Sequence, residues 1–260
     1  MSGRWPTLEI CVSTDDLDRL PRNVMAAQYG GARRIELCSD MKQQGLTPCK
    51  RAVKLAREFW GPTRGVLAMI RPRGGDFNYS DHEVRQMGKS IRELALAGAD
   101  GVVFGVLDAQ RQLEIKANEY LLDIAAEHGL SVTFHRAFDA VANPLVAIEW
   151  LKSSQVSRVL SSGCHWPGAN MNAEARSRLV WLLERLDGAL ELVIGGGLKE
   201  ANVKGLLELL QPVGLPYSLH CHSAVLREGA TECSLVSRLH RMTLLNTAES
   251  GVQQQPRRIK

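Results

Sequence analysis

Eight short apolar runs alternate with segments of helical period along this chain, spaced about 25 to 35 residues apart. The runs are 8–12, 33–38, 66–70, 101–104, 131–135, 158–160, 190–194 and 217–220, rich in β-branched residues and too short for buried helices. Between them the pattern predicts helices over 15–29, from Thr47-Pro48 to about residue 60, over 118–128, from Asn143-Pro144 to 152, and over 225–245. Ser80 and Glu83 form a capping box ahead of Val84, Met87, Ile91 and Leu94, the clearest helical stripe in the chain. Leu179, Leu182, Leu183 and Leu186 mark another stripe, and Val203, Leu206, Leu207 and Leu210 a third. Strict strand–helix alternation requires a parallel sheet covered by helices. Eight repeats close it into a single (β/α)8 TIM barrel. An open doubly wound sheet is the alternative, but no G-x-G-x-x-G follows the first strand.

At 260 residues, 45% of them apolar and 23% charged, the chain can bury one large core and has the balance of a soluble globular protein. No linker interrupts 8–245. The expected organisation is a short extension over 1–7, a barrel domain over 8–245 and a disordered basic tail over 246–260. The formal charge of +4 arises largely from Arg4 and from that tail, where Arg257, Arg258 and Lys260 outnumber Glu249. The barrel itself is close to neutral, which argues against nucleic acid as a partner. No run of 18 apolar residues is present to span a membrane. No apolar leader precedes the first strand, and six cysteines are spread over a long chain, so reduced thiols in a cytoplasm are expected.

In a parallel barrel, chemistry gathers at the C-terminal ends of the strands. Period-2 alternation puts Glu9 with Cys11, and Glu36 with Cys38, on one face of their strands. Leu8, Ile10, Ile35 and Leu37 suit the helix-packed face, so both glutamates should point inward. Buried carboxylates need partners. Arg71 and His135, at the ends of strands three and five, are the available ones. A Glu9/Glu36/Arg71/His135 cluster could serve as acid–base machinery with a cation for a developing anion. The alternative is a structural ion network, against which the convergence of four polar groups argues. Arg73 and Gly74-Gly75, in the segment Arg71-Pro72-Arg73-Gly74-Gly75, would line the rim, with Arg73 as an anion anchor. Gly195, Gly196 and Ser223 fall where loops after strands seven and eight often bind phosphate, although tight turns use glycine too. Cys11 and Cys38, on adjacent strands, are candidate ligands for soft Cu(I), and Cys164-His165 and His220-Cys221-His222 add ligand types at the same face. No C-x-x-C or H-x-x-x-H spacing accompanies them.

Several blocks together resemble the CutC family of copper homeostasis proteins. They are L-E-I-C-V at 8–12, G-G-A-R-R-I-E-L-C-S at 30–39, M-I-R-P-R-G-G-D-F-N-Y-S-D at 69–81, G-A-D-G-V-V-F-G at 98–105, V-T-F-H-R-A-F-D at 132–139, R-V-L-S-S-G at 158–163, G-G-G at 195–197 and H-C-H-S-A at 220–224. The resemblance implies a cytoplasmic TIM-barrel protein of copper tolerance or trafficking, often a homodimer, which either binds a copper ion for delivery or performs chemistry on which copper handling depends. The alternative that the residues themselves suggest is an enzyme acting on a small anionic or phosphorylated metabolite. Two segments depart from the family pattern. Gln43-Gln44-Gly45-Leu46-Thr47-Pro48 stands where an E-G-G-x-T-P loop is usual, which removes a carboxylate. His222 precedes Ser223 where the usual block reads H-x-S-A, which adds an imidazole.

Overall fold

The structure, a computed structural model, describes residues 6–252, with side chains as far as residue 245. Eight parallel strands close into a barrel in sequence order. They are β1 (Thr7–Ser13), β2 (Arg34–Cys38), β3 (Val66–Met69), β4 (Gly101–Phe104), β5 (Ser131–Phe134), β6 (Arg158–Ser161), β7 (Glu191–Gly195) and β8 (Tyr217–Cys221). The helices between them are α1 (Leu20–Tyr29), α2 (Lys50–Trp60), α3 (Asp81–Leu96), α4 (Ile115–Glu127), α5 (Pro144–Ser153), α6 (Ala173–Leu186) and α7 (Glu200–Leu210). A two-stranded hairpin of β9 (Leu226–Arg227) and β10 (Ala230–Thr231) precedes the last helix, α8 (Cys233–Val252). The single barrel read from the alternation is the observed fold.

The strand residues divide between two cores. Leu8, Ile10, Val12, Ile35 and Leu37 pack outward into the large layer between sheet and helices, where Val84, Met87, Ile91 and Leu94 of α3 also lie. Cys11, Cys38, Leu67, Met69 and Val103 form a smaller cluster inside the barrel. Gly101 and Gly195 face that interior, where a Cβ on Gly101 would strike Ser131 and Leu67, and one on Gly195 would strike Leu160 and His220. The missing side chain of Gly195 thus makes room for the imidazole beside it.

Where elements start later than the pattern predicts, a side chain has been taken for another task. Helix α1 begins at Leu20 rather than residue 15. Asp15 reaches across to accept the backbone N–H of Asp40 at 2.6 Å, which braces the loop after β2. Helix α2 begins at Lys50 rather than at Pro48. Thr47 instead clips the end of β3: its Oγ1 accepts the Arg71 N–H at 2.8 Å, and its own N–H donates to the Arg71 carbonyl at 3.0 Å. The helix expected over 225–245 gives way to the β9–β10 hairpin as far as Thr231, and only then does α8 begin. The backbone of α8 runs through Val252, past the expected start of the tail at 246. Residues 1–5 of the expected extension and 253–260 of the tail lie outside the described residues.

The capping box on α3 is complete. Ser80 Oγ accepts the Glu83 N–H at 3.3 Å, and the Glu83 carboxylate accepts the Ser80 N–H at 2.8 Å. Ser80→Ala removes the acceptor and should lower stability by about 1 kcal/mol, measured as a shift of the urea midpoint at unchanged slope.

Candidate functional site

Strand register decides which charges meet inside the barrel. Glu9 lies opposite Arg34 on one side and His220 on the other, and Arg158 lies opposite Glu191. Arg34 Nε donates to Glu9 Oε2 at 2.7 Å. Its two terminal nitrogens take Glu191 in a fork, at 3.1 and 2.5 Å, and Nη2 also reaches Ser218 Oγ at 2.8 Å. Arg158 donates to Thr133 Oγ1 and Ser131 Oγ, both at 2.8 Å. Burial opposes the charge on Glu9, yet Arg34 and His220 together hold its carboxyl down at about 2.

Above this ionic floor the chain places softer groups. His220 gives its Nδ1 edge to Glu9 Oε1 at 2.7 Å, which leaves Nε2 facing Glu36 Oε2 at 3.4 Å. Cys11 Sγ, a Glu36 oxygen and a His220 nitrogen lie within 4.8 Å of one another. Cys38 Sγ lies 3.3 Å from Glu36 Oε2. Cys11 is held well below the ordinary thiol range by a hydrogen bond from Cys38, which prevails over burial with help from His220 and His222. Cys38 is correspondingly pushed well up, as the proton-bearing partner of that pair. Burial pushes Glu36 up to about 8, with the neighbouring Cys11 thiolate and Glu9 adding to the rise against His220. The Oε1 atom of Glu36 has no hydrogen-bond partner. His222 donates Nδ1–H to the Cys11 carbonyl at 3.2 Å.

These groups line one part of a cavity of about 390 Å³ at the mouth of the barrel. The rest of its wall includes Met41, Met69, Arg71, Phe77, His135, Arg136, Trp166, the Gly195–Gly197 turn and Ser223. Arg71 is only 2% exposed but does not neutralise Glu9 or Glu36, as the sequence suggested. It donates instead to the backbone carbonyls of Gln43, Gly45 and Gly75, at 2.6, 3.3 and 3.0 Å. Its guanidinium lies 5.3 Å from the Phe77 ring centre and 5.5 Å from that of Trp166. His135, also 2% exposed, accepts the Ala137 N–H on Nδ1 at 3.2 Å and leaves Nε2 without a partner. Burial, with Arg71 and Arg136 adding like charge, lowers it to about 3, so it is a neutral imidazole.

Two sequence candidates find other work. Arg73 does not line the cavity. It clasps its own loop, binding Glu83 at 2.7 Å, Asp76 at 3.0 Å and the Asn78 carbonyl at 2.7 Å, so its charge is already balanced. Gly195, Gly196 and Ser223 do border the cavity. The turn nevertheless has a steric need for glycine. Gly196 and Gly197 adopt φ of 97° and 71°, and a Cβ on Gly197 would sit 2.7 Å from the Ala169 carbonyl oxygen.

Residues absent from the sequence-derived site complete it. Arg34 and Glu191 supply the floor, and period-2 alternation from Glu36 already places Arg34 on the inward face. Trp166 arrives on the loop after β6, where Asp139 holds the neighbourhood together. The Asp139 side chain accepts from Arg136, Ser161 and Ser162, and its carbonyl accepts the Trp166 N–H at 3.0 Å.

The profile of the CutC family matches residues 7–222, a span that runs from β1 through the His220-Cys221-His222 end of β8. The chain belongs to the CutC family. Among relatives of this CutC protein, the human "Copper homeostasis protein cutC homolog" is 37% identical over 201 residues, 77% of this chain and 68% of the relative. A family protein CutC of Bacteroides fragilis is 38% identical over 196 residues, 75% of this chain and 72% of that one. The crystal structure of a putative copper homeostasis protein CutC from Streptococcus agalactiae superposes with a TM-score of 0.70 at 27% identity, covering 83% of this chain and 98% of the other. The tryptophan synthase α subunit of Legionella pneumophila, at 13% identity and a TM-score of 0.64 over 92% of this chain and 93% of its own, shares the fold.

Arg34→Met strands the two carboxylates it joins and should cost about 3–5 kcal/mol of stability, part of which Glu191→Gln in the same chain restores. Chemical denaturation at neutral pH measures both. His135 makes a separate prediction. Its folded pKa is depressed, so its contribution to stability is present above the ordinary imidazole value of 6.5 and is lost as pH falls toward about 3. His135→Phe should therefore flatten the stability profile across pH 6 to 4 by one proton's worth, about 1.4 kcal/mol per pH unit, in urea titrations of both proteins.

Proposed function

We propose that this CutC protein binds Cu(I) in the cup formed by Cys11, Cys38 and His220, and handles copper as a diffusible cytoplasmic carrier. The observation that carries this reading is the Glu9–His220 pair at 2.7 Å. A metal-binding imidazole ordinarily gives its second ring nitrogen to a carboxylate, which fixes the ring and raises its basicity. Here that carboxylate is already in place, and the opposite nitrogen faces Cys11 and Glu36.

The donor set favours a soft ion. The Cys11 thiol and the His220 imidazole converge with a Glu36 oxygen, the Cys38 thiol lies 3.3 Å from that carboxyl group, and the Met69 thioether packs in the same interior cluster with Met41 against it. The carboxyl of Glu36, raised to about 8 by burial, carries its proton at neutral pH and offers little to a hard cation. The human and S. agalactiae relatives, both named for copper homeostasis, point the same way. All six cysteines are free thiols. No described helix is long and apolar enough to cross a membrane.

Titration of the reduced protein with Cu(I) against a chromogenic chelator tests the reading. One equivalent should bind, and the Cys11→Ser/Cys38→Ser protein should lose it. Glu9→Gln should weaken it about 10- to 100-fold by freeing the imidazole from its carboxylate. An unchanged affinity in the double serine protein would overturn the assignment.

A further inference from the structure

The copper reading uses only part of the cavity. A volume of about 390 Å³ far exceeds what one ion needs and falls within the roughly 300–1,000 Å³ usual for small-molecule sites. The wall away from the thiols is built from Arg71, Phe77, His135 and Trp166, which touch in sequence. The Phe77 ring lies 4.9 Å from His135 and 4.9 Å, edge-on, from Trp166, and Arg71 sits over both Phe77 and Trp166.

Two polar groups in this wall lack what burial ordinarily demands. Arg71 is a buried cation that pairs with no carboxylate among the described residues; its partners are neutral carbonyls and ring faces. His135 carries its proton on Nε2, because Nδ1 accepts the Ala137 N–H, and that buried N–H donates to nothing. A cation without a counter-ion and a donor without an acceptor are both costly to bury. They occur side by side on a cavity wall, and both deficits are met by one kind of atom, an anionic oxygen. Arg136, the other guanidinium bordering the cavity, is already neutralised by Asp139. The cavity lining also carries apolar surface from Trp166, Pro167, Leu160 and Leu198.

We propose that this wall is a second binding compartment, which takes a small organic carboxylate with a flat apolar body. The carboxylate lies toward Arg71 and His135 Nε2, and the body lies against Trp166. The site is separate from the copper cup and does not depend on it.

Benzoate is the probe, with benzamide as its neutral isostere and inorganic phosphate as an oxyanion without an apolar body. Titration calorimetry on the metal-free protein should show one benzoate bound with Kd of about 1 mM or tighter, a level that a modest gain per atom gives a ligand of this size. Benzamide should bind at least about tenfold more weakly, for want of a charge-assisted hydrogen bond, and phosphate more weakly still. Arg71 also holds two loops, so Arg71→Ala could simply unfold; the informative variants are His135→Phe, His135→Gln and Trp166→Ala. His135→Phe should weaken benzoate about tenfold, His135→Gln should restore part of that through its amide N–H, and Trp166→Ala should weaken benzoate by a similar factor. Cu(I) affinity should be unchanged in these three proteins. Benzoate binding should in turn persist in Cys11→Ser/Cys38→Ser, so each reading can fail alone. Equal binding of benzamide or phosphate, no binding of benzoate, or benzoate affinity indifferent to both His135→Phe and Trp166→Ala would overturn the proposal.

Discussion

The fork of Arg34 between Glu9 and Glu191 is the interaction on which the mouth of this barrel depends. Barrels of this kind are usually filled by branched aliphatic side chains. Here the lower interior holds charges, which must be paired and hydrogen-bonded to be tolerated. Arg34 joins β2 to β1 and β7, and Ser218 of β8 accepts from the same guanidinium. By fixing Glu9 as an anion, the fork also fixes His220, since the imidazole lies against the other oxygen of the same carboxylate. The orientation of His220 Nε2 toward Cys11 and Glu36 is thus set two residues below, by an arginine that never reaches the cavity.

The cup above this floor is chemically asymmetric. One side carries sulfur, imidazole and a carboxyl kept neutral by burial. The other carries a guanidinium, a neutral imidazole and two aromatic rings. One thiolate, that of Cys11, and a cation with no carboxylate partner thus share a single cavity. Trp166, held by the Asp139 carbonyl, closes the side away from the sulfur.

The alternation of strands and helices was legible because each unit buries its own apolar face, so hydrophobic period alone marks it. The inward aim of Glu9, Cys11, Glu36 and Cys38 was legible for the same reason, through period-2 alternation. Their partners were not. Arg71 looked like the counter-charge of the glutamates because it ends a neighbouring strand, but the stagger of the barrel carries it above them to the loop carbonyls. Arg34 sat in the sequence two residues before Glu36, on the same face, and its role follows only from the register that sets Glu9 beside it. Glu191 and Arg158 meet through another such register. Late helix starts at Leu20 and Lys50 have a related origin, because Asp15 and Thr47 serve distant loops and no local pattern records that.

Arg71 holds the 41–45 loop through main-chain oxygens alone, those of Gln43 and Gly45. Such an anchor is blind to side-chain identity. The loop can exchange an acidic residue for Gln43 or Gln44 and keep its seat, because every residue type offers the same carbonyl. The rim of this cavity is thereby a surface on which composition can drift while geometry stays fixed, and one of the chain's two departures from the family pattern lies in that loop.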